Sequence, residues 1–497
     1  MTSLNDQAST LASRLTPAPG PPGTLSRIPP LTPVGAAVTA AELARRAADA
    51  RELAESLLAR EVHAVAVTIV DNAGLARAKT APVTGLEQAT RWGLGLSPVF
   101  AVAAVDDSFT TSTAAGGPAG DLRLMPDPSA LRVAAAQPGW AWAPADQYTQ
   151  DGQVFGCCQR SFTRRMADLA GLQGLEVKVG TEIEWFLGRD EGGALVPAHD
   201  GPGYGLAALD GPGKLADYGR GLLAALGESG IRVGQFHPEY APGQLEISLP
   251  AAAPVEAADL NVFARHTIRA HSTRQGWRAS FAPVVVPGQI GNGGHLHLSI
   301  WRGGRNLLAG GNGPHGMTPD GEAFLAGIAA ELPALTAVGA PSAASYLRLR
   351  PSHWAGAYAC WGHENREAAL RFITGMTGGQ AAAANAEIKC FDQAANPYLA
   401  IGSLIAAGLA GLDKRLRLPP ETATDPACSG PVKPEHAPQR LPGTLDQALT
   451  ALRHSQVIPA AMGADLYDAF TAVRAAEAEA FQGQDAEAIA AAHRWRY

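Results

Sequence analysis

Along Gly291-Asn292-Gly293-Gly294-His295-Leu296-His297-Leu298-Ser299-Ile300-Trp301, small residues give way to strict alternation of apolar and polar positions. That period of two predicts a tight turn feeding a strand, with Leu296, Leu298 and Ile300 on the core face and His295, His297 and Ser299 on the other. The same alternation puts Glu182 and Glu184 on one face of a strand expected over 176–187, opposite Ile183 and Trp185. Exposed edge strands also carry such pairs. Elsewhere the period lengthens: Leu43, Ala47, Ala50, Leu53 and Leu57 recur at helical spacing behind the capping box of Thr39 and Glu42, so a helix of about 20 residues should end near Glu61. The β-branched run 62–70, closed by Asp71-Asn72-Ala73-Gly74 and followed by 75–83, reads as a hairpin. Short strands are expected over 99–105 and 121–125, and helices over 161–172 and 215–229.

Residues 1–38 carry Pro17, Pro19, Pro21, Pro22, Pro29, Pro30 and Pro33 among small polar neighbours, too little apolar material to offset the entropy of ordering, so a mobile tail is expected. A small α+β domain is expected over 39–145, a seam around Gly139 to Gly152, and a larger domain over 146–497. The 497 residues are enough for such a division.

Net charge is -7 without blocks of one sign, which argues against a nucleic-acid groove or an anionic membrane surface as partner. Five cysteines form no CxxC pair, so a reducing, cytoplasmic setting is the simpler expectation. Neither a signal sequence nor an apolar run of about 20 residues is evident.

Further carboxylates follow. Glu239 and Glu246 flank a Pro-Gly turn in His237-Pro238-Glu239-Tyr240-Ala241-Pro242-Gly243-Gln244-Leu245-Glu246, and Glu387 precedes Phe391-Asp392-Gln393-Ala394-Ala395-Asn396-Pro397-Tyr398. Acids this dense on apolar strands repel one another unless a cation intervenes, and Mg²⁺ or Mn²⁺ accepts oxygen ligands with one imidazole among them. Arg348, Arg366 and Arg371 form a separate basic group. Acids for two metals beside guanidinium groups suit phosphoryl transfer, and no GxxxxGK[ST] or strand-borne GxGxxG offers another nucleotide site.

Taken together, the acidic strand pair, HPEYxPGQxE, GNGGHxHxS, SYxR, WGxxNR…R and ExxxFxxAANPYL resemble the glutamine synthetase family. The resemblance implies an α+β protein: an N-terminal β-grasp domain, then a catalytic domain of curved antiparallel strands wrapped by helices. It also implies a homododecamer of two hexameric rings with sites between subunits, and ATP-dependent amide formation through a γ-glutamyl phosphate with two or three Mg²⁺ or Mn²⁺ per site. By position, Glu184, Glu239 and Glu246 resemble the ligands of a first metal, and Glu182, His295 and Glu387 those of a second. His297 and Ser299 resemble nucleotide contacts, Gly291 and Arg348 substrate-binding residues, Arg366 and Arg371 the pair that neutralises the phosphoryl group, and Asp106 (or Asp107) the acid beside the amine.

Where ammonium-using members carry a glutamate six residues past the Arg348 position, this chain has Trp354. An indole removes an ammonium trap and offers a cation-π wall to a larger amine. GNGGHxHxS, SPVF and VDDS resemble the γ-glutamylpolyamine and γ-glutamylethanolamide synthetase branch. Lys389 and Asn385 stand where the family has basic residues, Lys389 for an arginine, which weakens a bidentate grip on the substrate acid. The expected function is a ligase joining glutamate, or a close carboxylate analogue, to an organic amine. The alternatives are a glutamine synthetase using ammonium and a catalytically weak regulatory or assembly homologue.

Overall fold

The computed structural model describes residues 37–192, 194–209, 215–428 and 438–497. The proline-rich segment up to residue 36 lies outside them. The helix Ala40–Ala59 is capped by the Thr39 hydroxyl, which accepts from the Glu42 N–H at 3.1 Å. It covers a mixed sheet built from β1 (Ala64–Val70), β2 (Ala76–Pro82), β3 (Leu94–Leu96), β4 (Leu122–Pro126), β5 (Arg132–Val133) and β6 (Trp140–Tyr148), ordered β2-β1-β6-β4-β3 with β5 on β6. β1 and β2 are the expected hairpin.

Two expectations fail here. Residues 98–102 form a 3₁₀ turn, because Pro98 sits behind the Ser97 cap. Trp140–Tyr148, inside the stretch expected as a seam, is a nearly fully buried strand paired parallel to β1 and antiparallel to β4. Trp142 on it stacks on Phe263 at 4.9 Å.

The second sheet has ten strands: β7 (Glu176–Glu191), β8 (Ala194–Pro197), β9 (Gln235–Pro238), β10 (Gln244–Ala252), β11 (Arg278–Ser280), β12 (Leu296–Arg302), β13 (Arg305–Asn306), β14 (Tyr358–His363), β15 (Ala368–Ile373) and β16 (Asn385–Ile388). Its main path runs β14-β15-β16-β12-β7-β10-β9, antiparallel except for the parallel pair β14 and β15. Helices Gln159–Leu172, Pro254–Arg274, Pro319–Gly339 and Pro397–Lys414 pack around it. Two of them cross at Gly327 and Gly411, where a Cβ on Gly327 would lie 2.2 Å from the Ala407 carbonyl oxygen. Against the expectation of no apolar run of about 20 residues, helix Pro319–Gly339 is apolar and long enough to cross a membrane, but 78% of its most apolar window is buried inside the fold. It is a core helix here.

Candidate active site

Strand register assembles the acids. Glu246 on β10 pairs directly with Glu184 on β7, and His237 on β9 pairs with Glu246. The turn between β9 and β10 closes with the Glu239 N–H donating to the Gln244 carbonyl at 2.8 Å, as the Pro-Gly motif requires. On the other side His297 on β12 faces Glu387 on β16, and Glu387 faces Arg371 on β15.

Two groups of ligand atoms result, each within 4.8 Å: Glu182, His297 and Glu387, and His237, Glu239 and Glu246. Between them His295 turns Nδ1 toward Glu182 (2.8 Å), Glu387 (3.4 Å) and Glu184 (3.9 Å). The sequence-expected six therefore converge, and His237 joins them. His237 stands inside the HPEYxPGQxE motif, two residues before Glu239, and strand alternation could have found it. His297, expected at the nucleotide, lies with the acids themselves: the Asn385 carbonyl accepts from Nδ1 at 2.9 Å, so Nε2 faces Glu182 Oε1 at 3.2 Å without hydrogen-bond alignment.

Charge in this cluster is out of balance. Burial together with Glu246 and Glu239 pushes Glu184 up to about 8, and burial with Glu182 and Glu239 pushes Glu246 up to about 9. Glu387 goes the other way: burial would raise it, but the Lys389 ammonium at 3.1 Å and both imidazoles hold it down at about 2. Burial lowers His295 to about 4, whereas Glu182 overrides burial and raises His297 to about 9. The donor set is oxygen with imidazole nitrogen, His237 Nδ1 (3.5 Å from Glu239) and His297 Nε2 (3.2 Å from Glu182) are buried near carboxylates without an aligned hydrogen bond, and acids are forced to hold protons. That is the environment a pair of hard divalent cations would neutralise. Gly293 leaves the room: a Cβ there would sit 2.6 Å from Glu184 Oε1 and 2.5 Å from His295 Nε2.

Arg348 reaches the same place, with Nη2 donating to His295 Nε2 and to the Lys389 carbonyl, both at 3.1 Å, while Nη1 is buried and unpartnered. Gly291, whose carbonyl accepts from Gln244 Nε2 at 3.0 Å, lies against it: a Cβ would be 3.2 Å from Arg348 Cγ. Gln244 also donates to Glu184 at 2.8 Å, a positioning contact not anticipated from the sequence. Arg371 bridges Glu387 (2.9 Å) and Glu364 (2.6 Å). Ser299 is buried and accepts from Trp301 Nε1 at 2.9 Å.

Three expected residues stand apart. Arg366 is exposed at the β14–β15 turn, where Glu367 rather than Arg366 points inward. Asp106 lies on an exposed loop and is held by Ser108 and Arg496, not by any acid of the cluster. Trp354 is 51% exposed, its backbone N–H donating to Glu367 at 2.6 Å and its ring edge-on to Tyr240.

The sequence profile described as glutamine synthetase, catalytic domain, matches residues 156–491. Gamma-glutamylpolyamine synthetase GlnA3 of Streptomyces coelicolor is 50% identical over 90% of this chain and 96% of its own length. A glutamine synthetase of Methanococcus maripaludis is 30% identical over 73% of this chain and 81% of its own. Among solved structures, a novel glutamine synthase homolog superimposes with a TM-score of 0.78 at 31% identity, covering 88% of this chain and 99% of that one. GmaS in complex with ADP gives 0.76 at 27% identity, covering 87% and 97%. The acids brought together by strand register thus lie in a fold with known relatives, and the chain belongs to the glutamine synthetase family of ATP-dependent carbon-nitrogen ligases.

Proposed function

We propose that this chain joins the γ-carboxyl group of glutamate, or a close analogue, to an organic amine, with a polyamine or diamine as the acceptor class. The observation that carries the choice of acceptor is Trp354, which stands in the sequence where ammonium-using members carry a glutamate and whose half-exposed ring meets Tyr240, the residue after Glu239. The resemblance to gamma-glutamylpolyamine synthetase over 90% of the chain supports it.

Two or three Mg²⁺ or Mn²⁺ held by Glu182, Glu184, Glu239, Glu246, Glu387 and the imidazoles would supply Lewis-acid neutralisation of the phosphoryl and carboxylate oxygens. The γ-carboxylate oxygen attacks the γ-phosphorus of ATP, forming the acyl phosphate as the bond to the bridging oxygen of ADP breaks. The amine nitrogen then attacks the acyl carbon, inorganic phosphate departs, and the nitrogen loses its surplus proton to a base. Arg348 holds the substrate acid through its unpartnered Nη1, and Arg371 faces the transferring group. Asp106, on its exposed loop, takes the amine-side role in the site of a neighbouring copy within a ring assembly. Lys389 lacks arginine's fork but keeps Glu387 ionised as a ligand, which favours an active enzyme over a weak homologue.

Phosphate release with ATP, Mg²⁺ and glutamate, scanned over ammonium, putrescine, spermidine and ethanolamine, tests the reading. The expected best acceptor is a diamine or polyamine. Ammonium as the best acceptor would overturn it.

A further inference from the structure

Beside the acids, aromatic rings form a continuous staircase toward solvent. Tyr204 stacks on His237 at 4.9 Å, Tyr240 meets Tyr204 edge-on at 5.4 Å, and Trp354 meets Tyr240 edge-on at 5.6 Å. The lower end is tied to the site, because the Tyr204 hydroxyl donates to Glu239 Oε1 at 2.6 Å. The three outer rings nevertheless remain 55%, 45% and 51% exposed. Large aromatics that touch one another while leaving their faces in water form a surface made for a ligand rather than for a core.

Backbone geometry supports that reading. Tyr204 (φ 55°), Ser352 (φ 58°) and Trp354 (φ 53°) are all left-handed, a conformation costly for aromatic residues. Trp354 is held in it by the Glu367 carboxylate, which is 5% exposed and keeps its second oxygen unpartnered. Asp425, which accepts from the Ser352 hydroxyl at 3.5 Å, adds a carboxylate to the turn that carries Trp354 two residues on. The outer end of the staircase is thus rich in π-faces and backed by carboxylates.

We propose that Tyr204, Tyr240 and Trp354 are the acceptor-selecting residues, taking an aliphatic α,ω-diamine or polyamine as a chain laid along the rings. One nitrogen lies at the acid-cluster end, next to the acyl phosphate, and the distal ammonium rests against Tyr240 and Trp354. This rests on the organic-amine reading above and deepens it. The logic is complementarity of charge: a distal ammonium gains cation-π contact and the Glu367 field, an equally long neutral tail gains only apolar contact, and ammonium reaches none of it.

The test compares putrescine with 4-amino-1-butanol, matched in length but uncharged at the far end, using wild type, Tyr240→Ala, Tyr240→Phe and Trp354→Ala. Wild type should prefer putrescine in kcat/KM. Tyr240→Ala and Trp354→Ala should each raise KM for putrescine about tenfold and move KM for the amino alcohol less than threefold, with KM for ATP and glutamate unchanged. Tyr240→Phe should keep the preference, since the π-face is what matters. Equal losses for both amines, or no loss for either, would overturn the staircase while wild-type turnover of organic amines still stood. Absence of organic-amine turnover in wild type would instead remove the functional reading on which it rests.

Discussion

Two buried carboxylate clusters in this chain differ in how their charge is compensated. At the junction of the two sheets Arg160, 5% exposed, binds Asp146 (3.1 Å), Asp259 (2.9 Å) and Asp127 (2.8 Å), and Arg164 binds Asp146 again. Asp146 is fully buried, yet Arg164 and Arg160 hold its carboxyl far below the usual range against that burial. In the other cluster, Glu184 and Glu246 are equally buried and pushed up to about 8 and about 9. Burial is the same; the source of compensating charge differs. In the first cluster the chain supplies its own cations, and the result ties the first sheet to helices Gln159–Leu172 and Pro254–Arg274, which pack on the second. In the second, Lys389 and Arg371 compensate Glu387 alone, Glu184 and Glu246 stay under-compensated, and the missing charge must come from outside.

The contrast breaks most visibly at Glu184. Glu184→Gln should abolish turnover while leaving the fold and its melting temperature near wild type at neutral pH, because the amide is isosteric with the protonated acid that cation-free Glu184 already is; wild-type rates would sink the ligand assignment. Next in size, Arg160→Met strands buried aspartates and should cost about 3–5 kcal/mol of stability, read by denaturant unfolding, with no rescue by Mg²⁺. A loss under about 1 kcal/mol would mean that junction is not the structural cluster described here.

A smaller effect is pH dependence. Glu184 and Glu246 have folded values above their ordinary 4.5, so the protonated forms contribute stability that is fully present below that value. The contribution is lost as pH climbs through about 8 to 9 in cation-free protein. Mg²⁺ should cancel the loss, so the Mg²⁺-induced rise in melting temperature should grow steadily from about pH 5 to about pH 9. Asp146, with its lowered value, runs the other way and gives up its contribution only in acid. A pH-independent Mg²⁺ effect would separate metal binding from these acids.

The two regions also differed in how far the sequence exposed them. Glu182, Glu184, His295 and His297 were legible because strand alternation is local, and Glu239 and Glu246 because a Pro-Gly turn brings its flanks together. The face-to-face registry of Glu246 with Glu184 and of His297 with Glu387 is nonlocal, so which imidazole joins which acids was not. Trp140–Tyr148 looked like a seam because a strand buried on both faces, interrupted by Pro144, has no alternation to show. The aromatic staircase was least legible: Tyr204 stands in a glycine-proline loop without periodicity, and its neighbours Tyr240 and Trp354 lie far away along the chain.

The central claim is that the second cluster is a divalent-cation centre serving ATP-dependent amide formation. Manganese binding, followed by the loss of free Mn²⁺ paramagnetic signal without nucleotide, tests it most directly. The account predicts at least one saturable Mn²⁺ per chain in wild type, weakened about tenfold or more by Glu184→Gln or Glu246→Gln and unchanged by Asp259→Asn in the self-compensated cluster. No saturable binding in wild type, or equal binding in the Glu184→Gln and Glu246→Gln variants, would contradict it.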